Sequence, residues 1–166
     1  MNDMLPLDNR AFRHEVNYYG LSAAMLGVGI VCIGGTGLGD TLLTSIECYF
    51  PLLNRWVEVA NLPTPRRRFG GVVHMGKLYV IGGFTGSRQS NSVLCLDLST
   101  KICSLCAPMS SIRTGCIAVV DDDLIYVIGG FYNRSAIHLV ECFDPSKNEW
   151  RELPHLNIPR YKHFDM

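Results

Sequence analysis

Three apolar runs, Ile30-Val31-Cys32-Ile33, Leu78-Tyr79-Val80-Ile81 and Ile125-Tyr126-Val127-Ile128, each end in a pair of glycines. The pairs Gly34-Gly35, Gly82-Gly83 and Gly129-Gly130 stand 48 and 47 residues apart, which marks an internal repeat. A further pair, Gly70-Gly71, starts a run and falls outside this register. Each run lacks polar alternation and is rich in β-branched or aromatic side chains, so it predicts a strand buried on both faces. A polar loop follows each pair, and then a second short strand: Ile46-Glu47-Cys48-Tyr49, Val93-Leu94-Cys95-Leu96 and Val140-Glu141-Cys142-Phe143. Next comes a turn (Phe50-Pro51, Asp97-Leu98, Asp144-Pro145) and a third strand carrying Trp56, Cys103 and Trp150 at 20 or 21 residues past the second glycine. One more strand precedes each glycine-terminated one, near Leu21 to Leu26, Gly71 to Met75 and Cys116 to Val120. Met75-Gly76-Lys77 and Asp121-Asp122-Asp123 form the last two of the intervening turns.

Four short strands joined by local turns make a self-pairing antiparallel sheet. Such a sheet cannot bury both faces alone and must stack on copies of itself. Radial stacking gives a β-propeller. The fold expected is therefore all-β, a partial propeller of three four-stranded antiparallel blades. Its divisions are an N-terminal tail or upstream remnant (1–17), three units (18–65, 66–112, 113–160) and the start of a fourth (161–166).

The strand ending in Gly-Gly, the aromatic near a turn and the Trp about 20 residues beyond resemble the kelch repeat, and in particular the kelch domain of kelch-like (BTB-kelch) proteins. Residues 18–160 take part. Two slots depart from the pattern: Tyr18 stands where later units have an Arg-led turn (Arg66-Arg67-Arg68, Arg113), and Cys103 replaces the middle Trp. The resemblance implies a ring of about six blades and a protein-binding role. In kelch-like proteins the propeller follows BTB and BACK domains and presents substrates to a cullin-based ubiquitin ligase, and other members bind actin. Some kelch-fold proteins are copper oxidases or sugar isomerases, so a fragment of an enzyme is the alternative reading. The oxidase type needs Tyr and His copper ligands on convergent loops.

Composition narrows these options. The 166 residues carry 15 Lys+Arg against 15 Asp+Glu, with 48% apolar and 18% charged residues. That suits a globular domain and removes the driving force for binding nucleic acid or an anionic membrane. The most apolar stretch, Leu21 to Gly35, is too short and too rich in glycine for a spanning helix. Seven cysteines follow the repeat (Cys48, Cys95 and Cys142 share one slot), which favours a reducing, cytoplasmic compartment over a disulfide framework. The Asn133-Arg134-Ser135 sequon would matter only in the secretory pathway.

The glycine pairs read as structural, supplying positive φ or room for a neighbouring blade, since no helix follows to cradle a phosphate. Trp56 and Trp150 read as packing at blade joints. Cys103-Ser104-Leu105-Cys106 has the spacing of half a zinc site or of a redox pair, but it lies on a strand and no second pair exists. The histidines (His14, His74, His138, His155, His163) share no slot, and Asp121 to Asp123 read as a solvated turn. No catalytic motif is found, and neither a metal nor a cofactor is expected.

Function is expected in the loops after the glycine pairs, where the repeat is least faithful. Phe84, Arg88, Tyr132, Asn133 and Arg134 are the candidates there. Arg66, Arg67, Arg68, Arg113 and Arg160 lie in the connections between units, which the resemblance places on the same face. Two readings stand open for these arginines: a basic rim for an acidic protein or peptide, or braces between turns. Three blades leave two faces open, so either further blades of a longer parent chain or a homodimer making six blades is expected to cover them.

Overall fold

In the computed structural model, backbone is described for residues 16–18, 21–26 and 29–161, with side chains from Gly29 onward. The expected positions of the tail before Val16 and of the unit beginning after Tyr161 lie outside the described residues.

The first sheet is β1 (Val16–Tyr18), β2 (Leu21–Leu26), β3 (Gly29–Ile33), β4 (Ser45–Phe50) and β5 (Arg55–Asn61), hydrogen-bonded in that order. The second is β6 (Gly70–His74), β7 (Lys77–Ile81), β8 (Val93–Asp97) and β9 (Cys103–Cys106). In the third unit, β10 (Ile117–Asp121), β11 (Leu124–Ile128), β14 (Val140–Asp144) and β15 (Glu149–Leu153) form the sheet, while β12 (Phe131–Tyr132) and β13 (Ser135–Ala136) make a separate hairpin inside the loop. Every pairing is antiparallel. Two elements depart from the expected four strands per unit. β1 folds back on β2 as a fifth strand, and the two-residue turn Asn133-Arg134, with φ of 47° and 66°, closes the unforeseen hairpin.

The sheets stack face to face. β6 touches both β2 and β10, so the first strands converge, as they do around a propeller axis. One core joins the first and second sheets through Val31, Ile33, Ile46, Leu78, Val80 and Leu96, and another joins the second and third through Tyr79, Ile81, Val93, Ile125, Val127 and Phe143. Alternate residues of β7 thus serve opposite joints, the period-2 property of a strand buried on both faces.

The glycines make the close approach possible. Gly34, Gly82 and Gly129 have φ of 51°, 66° and 59°, and a Cβ on each would sit 2.7, 2.6 and 2.3 Å from the carbonyl oxygens of Arg66, Arg113 and Arg160. Neither the dihedral nor the space admits another residue comfortably.

Trp150 occupies the second joint, its Nε1 donating to Ala107 O at 2.8 Å and its ring 4.9 Å from Phe143. Cys103, in the equivalent slot, packs into the first joint. Trp56 faces away from both cores, is 48% exposed and lies 5.4 Å from the Tyr49 ring. Among the described residues no sheet stands in front of Trp56, on the side where the expected joint would lie. No helix among the described residues is long and apolar enough to cross a membrane.

Candidate functional site

The loops after the glycine pairs and the connections between sheets meet at one end of the stack. The second glycine of each pair donates to the next connection: Gly35 N to Arg66 O at 2.8 Å, Gly83 N to Arg113 O at 2.9 Å and Gly130 N to Arg160 O at 3.0 Å. Each connection also pairs with the loop of its own sheet, Arg67 with Phe84 and Thr114 with Phe131. Gly86 approaches Leu42 so closely that a Cβ would lie 2.9 Å from Leu42 Cδ1. Gln89 Nε2 reaches Thr114 Oγ1 at 3.3 Å and Phe131 O at 3.4 Å. The three loops therefore form a continuous surface.

The expected site residues divide by burial. Arg66 and Arg113 are only 3% and 0% exposed, so they are not part of a solvent-facing rim. Arg66 donates to Gly82 O at 2.9 Å, Ser92 O at 3.2 Å and Ser92 Oγ at 2.6 Å. Arg113 donates to Gly129 O and Leu139 O, both at 3.2 Å, to Ser111 Oγ at 3.1 Å and to the buried carboxylate of Glu141. Burial pushes both guanidinium groups below their usual range, and Glu141 opposes this at Arg113. Each arginine ties a connection to the sheet that follows it, which is the bracing alternative.

The other candidates stay near the surface. Arg67 is half-buried, its guanidinium 5.2 Å from the centre of the half-buried Phe84 ring. Arg68, Arg88, Asn133, Arg134 and Arg160 are exposed, and Tyr132 is 43% exposed. Arg68 O accepts from Gly115 N, which seats it between two connections, and Arg88 O closes its loop by accepting from Thr85 N at 3.0 Å. Leu38, 98% exposed on the first loop, and the bridging Gln89 were not anticipated. Glu141 was also missed, although a carboxylate inside the apolar run Val140 to Phe143 is the kind of sequence signal that marks a buried ion pair.

The charge pattern of this end is lopsided. Segments 36–45, 63–69, 84–92, 109–115, 131–139 and 154–160 hold seven of the eleven arginines and, as their only carboxylate, Asp40. The opposite end has Asp97, Asp121, Asp122, Asp123 and Asp144 beside Lys77, Lys101 and Lys147. A shallow cavity at that opposite end, between Leu124, Asp144, Lys147 and Arg151, contains an ion pair with Lys147 Nζ 2.7 Å from Asp144 Oδ2.

Cysteine chemistry does not assemble a site. All seven thiols are free. Cys103 and Cys106 lie three apart on β9, hence on opposite faces, and each packs into a different joint. Hydrogen bonding, led by that from Cys106, holds the Cys95 thiol below its usual range; the same bond pushes Cys106 up, and burial, followed by the neighbouring Cys95, pushes Tyr79 up. Among the described residues no three His, Cys, Asp or Glu side chains are grouped to hold a metal ion.

Residues 14–164 match the family model of the KLHDC2/KLHL20/DRC7 Kelch-repeats domain. The chain belongs to the kelch-repeat family. This kelch chain is 26% identical to Kelch-like protein 25 of Xenopus tropicalis over 133 residues, 78% of its own length and 22% of that protein's. Against the Kelch repeat protein C2 of vaccinia virus (strain Western Reserve) it is 33% identical over 119 residues, covering 72% and 23% respectively. Against Beta-scruin of Limulus polyphemus the identity is 29% over 154 residues, covering 84% and 17%. The chain thus spans about a fifth of the length of these curated relatives. The solved structure of YjhT, a kelch propeller, is similar with a TM-score of 0.74 at 18% identity, covering 86% of this chain and 53% of that one. That likeness is one of fold.

Proposed function

We propose that the chain is a protein-interaction module whose loop face recognises an acidic protein segment. The observation that carries this reading is the charge asymmetry: a chain with 15 residues of each sign gathers Arg68, Arg88 and Arg134 exposed on one connected loop surface, with Arg67 stacked on Phe84 beside them. Exposed arginines over a rigid sheet scaffold supply both steering and directional hydrogen bonds, and Tyr132 adds aromatic contact area. The family membership supports a binding role. Presenting substrates to a cullin-based ubiquitin ligase, or binding a cytoskeletal protein, would each use such a face. The seven free thiols favour a reducing compartment.

The test is fluorescence anisotropy with a labelled poly-glutamate peptide and a poly-lysine control. Wild-type protein binds the acidic probe with an affinity that falls as salt rises. R68E/R88E/R134E weakens it by roughly tenfold or more. Equal binding of poly-glutamate by wild type and the triple variant contradicts the proposal.

A further inference from the structure

Glycine adopts a left-handed backbone at no steric cost, and Asn and Asp tolerate it. Among the described residues, five of the nine non-glycine positions with positive φ are Asn or Asp. The other four are Arg68, Met75, Lys101 and Arg134. Met75 and Lys101 belong to the short turns opposite the loop end, so only the two arginines, with φ of 55° and 66°, carry this conformation onto the loop face.

The repeat shows what one of them replaces. Arg68 stands two residues past Arg66, and Gly115, two past Arg113, fills the same slot with φ of 60°. Counted the same way from Tyr18, the first unit has Gly20 there. Arg134 takes the second central position of the β12–β13 turn, after Asn133, where a hairpin of this length ordinarily carries glycine. Both slots therefore hold a long cation in a conformation that penalises a Cβ, and both side chains are exposed, so burial does not offset the penalty. Strain kept at an exposed position points to function.

The two positions also belong to one hydrogen-bonded segment. Gly115 N donates to Arg68 O at 2.7 Å, Thr114 and Phe131 exchange main-chain bonds at 3.0 and 2.7 Å, and Phe131 opens the hairpin whose turn holds Arg134. Tyr132, paired with Ser135, sets an exposed ring beside that turn. Arg88 is exposed as well, but without a left-handed backbone.

We propose that Arg68 and Arg134 are the direct contacts for the acidic segment, presented by left-handed backbone that lowers stability, while Arg88 only steers the segment in. This rests on the reading of the loop face given above. Each guanidinium offers a planar pair of donors to a carboxylate, so the segment that fits is one whose acidic side chains reach both arginines at once. Loss of a contact acts on dissociation and loss of a steering charge on association, which separates the two roles.

Thermal melts and stopped-flow anisotropy with labelled poly-glutamate test this on R68G, R134G and R88A. R68G and R134G should each raise the melting temperature by about 1–4 °C, because glycine relieves the strain. Each should also speed poly-glutamate dissociation by roughly fivefold or more, and R68N and R134N, which suit the same backbone, should match them in dissociation. R88A should keep dissociation within about twofold and slow association at low salt. A lower melting temperature for either glycine variant would make that arginine structural and overturn the proposal, as would unchanged dissociation. Weakening by R88A alone also overturns it, while leaving the loop face as the site of acidic recognition. Wild-type protein that does not bind poly-glutamate would remove that reading and this inference together.

Discussion

Arg113 and Glu141 are joined inside the protein, at 0% and 1% exposure, where neither charge is stable without the other. R113A leaves the carboxylate with one remaining donor, Ser110 N at 3.0 Å, and is expected to cost about 3–5 kcal/mol. R113M/E141L should regain most of that, because it removes both charges together. Urea unfolding with an unchanged slope is the measurement, and a neutral R113A would show that the pair is not an energetic unit. The glycines set a second residue-scale contrast. Gly76 has φ of 72° and open space, with nothing within 4 Å of where a Cβ would stand, so G76A should cost only about 1–2 kcal/mol, whereas G82A adds a collision 2.6 Å from Arg113 O and should cost more. Equal costs would mean that the close approach at Gly82 relaxes freely. Glycine placement was legible from the repeat. The burial of Arg66 and Arg113 was not, because most of their acceptors are main-chain carbonyls of the glycine strand and loop, which leave no mark in the sequence.

At the scale of elements, the turns after β8 and β14 are built alike. Asp97 Oδ1 accepts from Ser99 N at 2.9 Å, Ser99 Oγ at 2.6 Å and Thr100 N at 3.0 Å, and Asp144 repeats this with Ser146 and Lys147. These bonds favour the carboxylates, led by Ser99 at Asp97 and by Lys147 at Asp144, and lower Asp97 from 3.8 to about 2. A depressed folded-state value gives stabilisation that is complete above about pH 4 and lost as pH falls through about 2. Thermal melts should therefore hold steady from pH 7 to 4 and drop below it, with a shallower drop in D97N/D144N. An identical acid profile in that variant would remove the turns from the account. The joints make a second test: W150F loses the bond to Ala107 O and should cost about 1 kcal/mol in urea unfolding, and no loss would mean that this bond does not hold the joint. The main strands of the three sheets could be read from apolar runs and glycine punctuation. Short pieces such as β1 and the β12–β13 hairpin could not, since two or three residues carry no periodicity and Asn133-Arg134 lacks the glycine usual in such a turn.

For the whole molecule, equal numbers of acidic and basic residues conceal a division between its two ends. Net charge alone could not reveal that arginine collects with the loops and aspartate with the opposite turns. That arrangement depends on strand direction, which sends every loop after a glycine pair to one end and the turns on either side of it, such as 75–77 and 99–101 around the loop 84–92, to the other. We propose that recognition belongs to the loop end and scaffolding to the sheets. Hydrogen–deuterium exchange with and without poly-glutamate distinguishes the two ends. Added protection confined to residues 63–69, 84–92 and 131–139 is the predicted result; protection centred on 75–77, 99–101 or 121–123, at the opposite end, would contradict it.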